Sequence, residues 1–173
     1  TAAVWAVCVL PAGEIVTASA DKTLKVWAGG AQPHQPATLV STLTGHTDAV
    51  RDVQPLPGGG FISCSNDASV RMWSTVACLR HVQLPCASFL YAVAVLPGTT
   101  DFAAAGEDGV LVVHREGAVA QTIAHPCGIW GVAADPHTGD LATACQDGVV
   151  RVWSTDPTQC ADAVEVSAFL EAV

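Results

Sequence analysis

Residues 45–73 read GHTDAVRDVQPLPGGGFISCSNDASVRMW, from Gly45 to Trp73. A Gly-His pair opens the stretch, an alternating segment follows, and a Ser-rich run passes through Asn66-Asp67 into a short alternating segment that ends at Trp73. His46 stands 21 residues before Asp67, and Trp73 stands six after it. The pattern is that of three short strands separated by turns, with a fourth expected from Cys78 to Leu84 and the three glycines Gly58-Gly59-Gly60 allowing positive φ in the first turn.

Copies of this unit flank it on both sides. The turn aspartates Asp21, Asp67, Asp108 and Asp147 are separated by 46, 41 and 39 residues. A period near 40 with four strands per unit, opening at Gly-His and closing at Trp, is the signature of a WD-repeat β-propeller. The expected fold is therefore all-β, with four blades over residues 1–154 (4–46, 47–86, 87–125 and 126–154). The last blade is expected to lack its outer strand, because no fourth alternating segment follows Trp153. Residues 155–173 read instead as a linker and a short C-terminal helix, capped by Asp162 with Glu165 three residues on, and with Val166, Phe169, Leu170 and Val173 on one face. A histidine 21 residues before Asp21 would fall just before Thr1. These signs suggest a fragment, four blades of a seven-bladed ring.

Composition narrows the partners. The net charge is −9 with seven Lys and Arg, and those seven do not cluster, so a phosphate backbone has no footprint here and no nucleic acid is expected. The longest apolar run, Phe89 to Pro97, is too short to span a bilayer, and no membrane association is expected. Seven cysteines, never spaced C-x-x-C, read as free thiols of a reducing compartment, cytoplasm or nucleus.

His46, Asp67 and either Ser63 or Ser65 resemble a catalytic triad in composition. Read with Trp73, they fit better as a buried hydrogen-bond network tying the entry loop to the strands, since a buried imidazole, carboxylate and indole N–H each need a partner. Ser63 and Ser65 share parity, so both remain candidates. The fourth blade repeats the set as His125, Thr143, Asp147 and Trp153, while the third keeps Asp108 but carries His114 in place of Trp. Partial copying suits structure rather than catalysis, and no enzyme activity, metal site or cofactor is expected. His34, His81 and His137 stand isolated. Gly58-Gly59-Gly60 is not followed by a helix and Lys, as a phosphate loop would be.

Aligning the blades exposes a candidate partner-binding face. Trp5, Arg51, Tyr91 and Trp130 each stand five residues before the Leu10, Leu56, Leu96 or Asp135 that closes a first strand. Trp, Tyr and Arg are the residues enriched at interface hot spots. Ala20, Asn66, Glu107 and Gln146, which precede the turn aspartates, are expected to reach the same face. Packing of Trp5, Tyr91 and Trp130 between blades is the alternative.

The segments GHTDAVRDV, FISCSNDASVRMW, CLRHV, FLYAVAVLPGTTDFAAAGEDGVL, GAVAQTIAHP and IWGVAADPHTGDLATACQDGVVRVW closely resemble the phospholipase A-2-activating protein family. The resemblance implies a propeller that binds ubiquitin. It also implies downstream domains, absent here, that bind ubiquitin again and recruit the ubiquitin-selective AAA ATPase. On that reading the chain is a non-catalytic adaptor in ubiquitin-dependent degradation and ubiquitin recycling. The other reading is a general WD-repeat scaffold or ligase substrate receptor. Departures from the family pattern are His114, the loss of Gly before His125, and the 28–37 loop. No nucleophile elbow supports the lipase chemistry that the family's name suggests.

Overall fold

The structure is a computed structural model that describes residues 2–29, 36–85, 88–155 and 164–166. Among these residues, sixteen strands form four antiparallel sheets, each a four-stranded meander in chain order. The first sheet holds β1 (Val4–Val9), β2 (Ile15–Ser19), β3 (Leu24–Ala28) and β4 (Thr38–Leu43). The second holds β5 (Val50–Pro55), β6 (Phe61–Ser65), β7 (Ser69–Trp73) and β8 (Cys78–Gln83). The third holds β9 (Leu90–Val95), β10 (Phe102–Gly106), β11 (Val110–Arg115) and β12 (Ala118–Ala124). The fourth holds β13 (Ile129–Ala134), β14 (Leu141–Cys145), β15 (Val150–Trp153) and β16 (Val164–Val166). The chain divides into two compact units, residues 1–90 and 91–173.

The hairpin between the second and third strands explains why an aspartate recurs. In each sheet the Asp Oδ1 accepts the backbone N–H two residues on, from Thr23, Ser69, Val110 and Val149, at 3.0–3.1 Å. Such an Asx turn fixes the chain reversal locally. The residue after each Asp takes a positive φ: Lys22 72°, Ala68 61°, Gly109 71° and Gly148 79°. Glycine adopts that conformation without strain. At Gly109 it also serves a close approach, because a Cβ there would lie 2.4 Å from the Cys127 carbonyl oxygen.

Period-2 alternation then builds the core. In the first unit Leu10, Val16, Ala18, Leu24, Val26 and Leu43 of the first sheet pack with Val50, Val53, Phe61 and Trp73 of the second. In the second unit Leu96, Ala103, Ala105, Leu111 and Val113 pack with Ile129, Leu141 and Cys145. Every residue of β6 and of β10 is buried, so both strands are covered on both faces. The fourth strand of the second sheet, β8, is largely exposed and carries Arg80, a charged residue that discourages edge-to-edge pairing.

The end of the chain differs from the sequence reading. Val164–Val166 forms a strand, β16, with Val150 opposite Val166 and Val152 opposite Val164, so the fourth sheet has its outer strand after all. The free edge of β15 offers a ladder of backbone donors and acceptors, and two β-branched valines favour the extended state over a helix. Asp162 and the remainder of the expected helix lie outside the described residues, as do His34, Cys86 and Cys160. Cys64 and Cys145 are buried, Cys8 and Cys127 half-buried and Cys78 exposed, all as free thiols. Burial pushes the Cys8 thiol up to about 11, with the Asp52 charge adding to it.

Candidate functional site

The His-Ser-Asp-Trp set of the second sheet forms one chain of bonds. Trp73 Nε1–H donates to Ser63 Oγ at 2.8 Å, and Ser63 Oγ lies 2.8 Å from His46 Nε2. His46 Nδ1 lies 2.9 Å from Asp67 Oδ2. Burial, the largest influence, lowers the His46 pKa despite the Asp67 charge beside it, so the ring is neutral at pH 7. A carboxylate only accepts, so Nδ1 carries the proton and Nε2 receives the Ser63 hydroxyl. Desolvation pushes the Asp67 carboxyl up, but donors from His46, Ser69 and Thr47 outweigh it and hold the group well below the ordinary range. Ser63, rather than Ser65, is thus the hub. Ser65 instead donates to the Asp48 carbonyl and accepts the Asp67 N–H. Although the distances match those of a hydrolase triad, Ser63 is 0% exposed, so a carbonyl carbon cannot approach its Oγ.

The other sheets vary this network. In the first, Trp27 Nε1–H donates to Thr17 Oγ1 at 3.0 Å. In the fourth, Trp153 Nε1–H donates to Thr143 Oγ1, which lies 3.0 Å from His125 Nε2. The sequence placed Asp147 in the same chain; instead its carboxylate pairs with Arg151 at 2.8 Å, and His125 Nδ1 faces the Ile123 carbonyl at 3.4 Å. One residue before the histidine the backbone also differs: Gly45 takes a φ of 152° in the second blade, whereas Ala124 ends strand β12. In the third sheet Ala104 replaces the hydroxyl, and buried His114 stacks on Phe102 at 4.8 Å between ring centroids.

The candidate partner face starts from a bulge. In β1 the register jumps between Val4 and Ala6, in β5 between Val50 and Asp52, and in β13 between Ile129 and Gly131. The skipped residues are Trp5, Arg51 and Trp130. A bulge leaves one residue unpaired and re-aims its side chain, and Trp5 and Trp130 are 53% and 54% exposed. In the first unit the Arg51 guanidinium lies over the Trp5 ring, 4.5 Å from its centroid. In the second unit Tyr91 stacks on Trp130 at 4.8 Å, with planes 6° apart. Contact between neighbouring blades and solvent exposure therefore coexist in each pair.

Residues before the turn aspartates reach the same end of their sheets. The N–H groups of Ala20, Asn66 and Gln146 donate to the carbonyls of Ala3, Ala49 and Gly128, each two residues before Trp5, Arg51 and Trp130. Asn66 holds its side-chain Oδ1 buried without a hydrogen-bond partner, whereas Glu107 and Gln146 are exposed. Neither the bulges nor the pairing of these side chains carries a sequence signal, since no glycine marks the bulged position.

The WD domain, G-beta repeat, family model matches residues 1–28, 37–74 and 117–154, more than half of the chain. This chain belongs to the WD-repeat family. Much of the third blade of this WD-repeat chain lies in the unmatched stretch, where Ala104 and His114 replace the hydroxyl and indole. The ubiquitin homeostasis protein lub1 of Schizosaccharomyces pombe is 31% identical over 136 residues, covering 78% of this chain and 19% of its own length. The ubiquitin fusion degradation protein 3 homolog of Caenorhabditis elegans is 32% identical over 97 residues, covering 54% and 10%. The crystal structure of the WD40 β-propeller domain of Doa1 matches with a TM-score of 0.72 and 32% identity over 86% of this chain and 49% of that one. The WD-repeat chain spans less than a fifth of either relative and about half of that propeller structure.

Proposed function

We propose that this chain is the propeller portion of an adaptor of the phospholipase A-2-activating protein type that binds ubiquitin. Contact is made through two side-chain pairs, Trp5 with Arg51 in the first unit and Tyr91 with Trp130 in the second. The observation that carries this reading is the re-aiming of half-exposed aromatic residues by bulges at equivalent positions. Two relatives named for ubiquitin homeostasis and ubiquitin fusion degradation support ubiquitin as the partner. Ubiquitin presents an apolar patch with basic neighbours, and a chain of net charge −9 with exposed indoles complements both features. Asn66, Glu107 and Gln146 flank the pairs as polar rim. The role is non-catalytic, exercised in cytoplasm and nucleus, and the ubiquitin-selective AAA ATPase is engaged by other domains of such adaptors.

Titration of the ¹⁵N-labelled chain with ubiquitin tests this. Shifts are expected at amides around Trp5, Arg51, Tyr91 and Trp130, and Trp5→Ala and Trp130→Ala should each weaken binding about tenfold or more, as central aromatic contacts do. Unchanged affinity in both variants would sink the proposal.

A further inference from the structure

At the opposite ends of these strands, the turn between the first two strands closes on an acidic residue in three blades. Glu14, Asp101 and Asp140 precede the second strand, and Gly60 holds the place in the second blade, where a Cβ would lie 2.4 Å from the Trp73 carbonyl oxygen. The antiparallel register identifies the residue across from each. Ile15 pairs with Trp27 and Phe102 with His114, so Glu14 stands opposite Ala28 and Asp101 opposite Arg115. Opposite charges at facing positions stabilise a strand pair. The third blade has such a pair of residues and the first does not.

A groove lies beside each acid. In the second unit it is lined by Leu96, Pro97, Asp101 and Arg115 together with Gly139 and Thr155. In the first unit a groove of about 360 Å³ is lined by Leu10, Pro11, Glu14, Gly58, Gly60 and Thr75. The two share a Leu-Pro wall, an acid, a glycine and a threonine, and differ in that, among the described residues, the first contains no basic side chain. There Glu14 Oε2 is shielded from water without a hydrogen-bond partner. A buried carboxylate oxygen left unpaired is costly, and an incoming cation relieves that cost. Gly58 and Gly59 add no side chains to the rim, and nothing lies within 4 Å of where their Cβ atoms would stand.

We propose that this groove of the first unit receives an arginine side chain presented by an extended segment of a partner protein. The guanidinium meets Glu14 Oε2, occupying the place that Arg115 holds relative to Asp101, and the aliphatic stem lies along Leu10 and Pro11. The site is separate from the ubiquitin contact and does not depend on it.

The test titrates the ¹⁵N-labelled chain with acetyl-Leu-Arg-Leu-amide, with the norleucine and lysine versions as controls. Amide shifts are expected at Gly13, Gly58, Gly59, Gly60 and Thr75, absent with norleucine and weaker with lysine. Glu14→Gln should weaken binding at least tenfold. Ala28→Arg supplies the missing guanidinium from within the chain and should abolish binding while raising the melting temperature; its dispersed spectrum reports that it is folded. Equal shifts with arginine and norleucine peptides, equal affinity for lysine, or wild-type affinity in both variants would overturn the assignment. So would an absence of shifts in the folded wild-type chain.

Discussion

Removing the Ser63 hydroxyl is the sharpest probe of the network that binds the second blade. Ser63→Ala deletes the acceptor of the Trp73 indole N–H and the partner of His46 Nε2, each 2.8 Å away. Ser63, His46 and Trp73 are all buried, so water cannot replace either bond. A buried group left unsatisfied costs about 1–3 kcal/mol, and two are left, so the expected loss is about 2–6 kcal/mol. That is a large share of the roughly 5–15 kcal/mol that holds a domain. Urea unfolding followed by circular dichroism gives the loss as a shift in midpoint at constant slope. The same change in the fourth blade, Thr143→Ala, should cost less, about 1–2 kcal/mol, because His125 and Trp153 are partly exposed. Adding Trp73→Phe to Ser63→Ala should cost less than the two single changes together, since one orphan donor disappears. A Ser63→Ala loss below about 0.5 kcal/mol, or a larger loss for Thr143→Ala, would refute this account of the network.

Two further predictions concern pH and backbone. Because burial lowers the His46 and His125 pKa values from 6.5 in the fold, the unfolded chain binds more protons below that value; their contribution is complete above about pH 6.5 and is lost as pH falls through the folded values. Asp67 adds a second loss of the same sign below its ordinary value of 3.8, so urea midpoints should fall from pH 7.5 to 5.5 and less steeply in His46→Asn. Ala68→Gly relieves a non-glycine φ of 61° and should stabilise by about 0.5 kcal/mol. Conversely, Gly148→Ala, at φ 79° with open space around it, should destabilise by about 1 kcal/mol. Thermal melts of these two variants moving in the same direction would contradict the turn geometry.

The repeat was legible because its markers are local. The Asp that closes an Asx turn is set by a bond two residues on, the Trp and Gly-His recur at fixed spacings from it, and the four sheets follow from them. Ser63 and Ser65 could not be separated, since parity is all that a strand sequence offers and both serines share it. The partner of Asp147 was missed because the spacing that suggests His125 says nothing of Arg151, four residues on, which takes the carboxylate instead. Val164–Val166 was read as helix because a three-residue strand leaves almost no periodicity, and the deciding factor, the open edge of β15, is tertiary. The pairing of Trp5 with Arg51 and of Tyr91 with Trp130 joins residues 46 and 39 positions apart, beyond the reach of any local pattern. Glu14 and Ala28 become informative only once the register sets them face to face.

The bulges at Trp5, Arg51 and Trp130 carry an evolutionary consequence. Because the backbone leaves these positions outside the ladder, direction is set by the main chain and identity by nothing that the core requires: an indole and a guanidinium already occupy equivalent places. Such a position behaves as a socket, in which one codon per blade can be rewritten without disturbing the sheet beneath. A repeat protein built this way can exchange one partner for another by point substitutions alone, while its turns and buried bonds stay as they were.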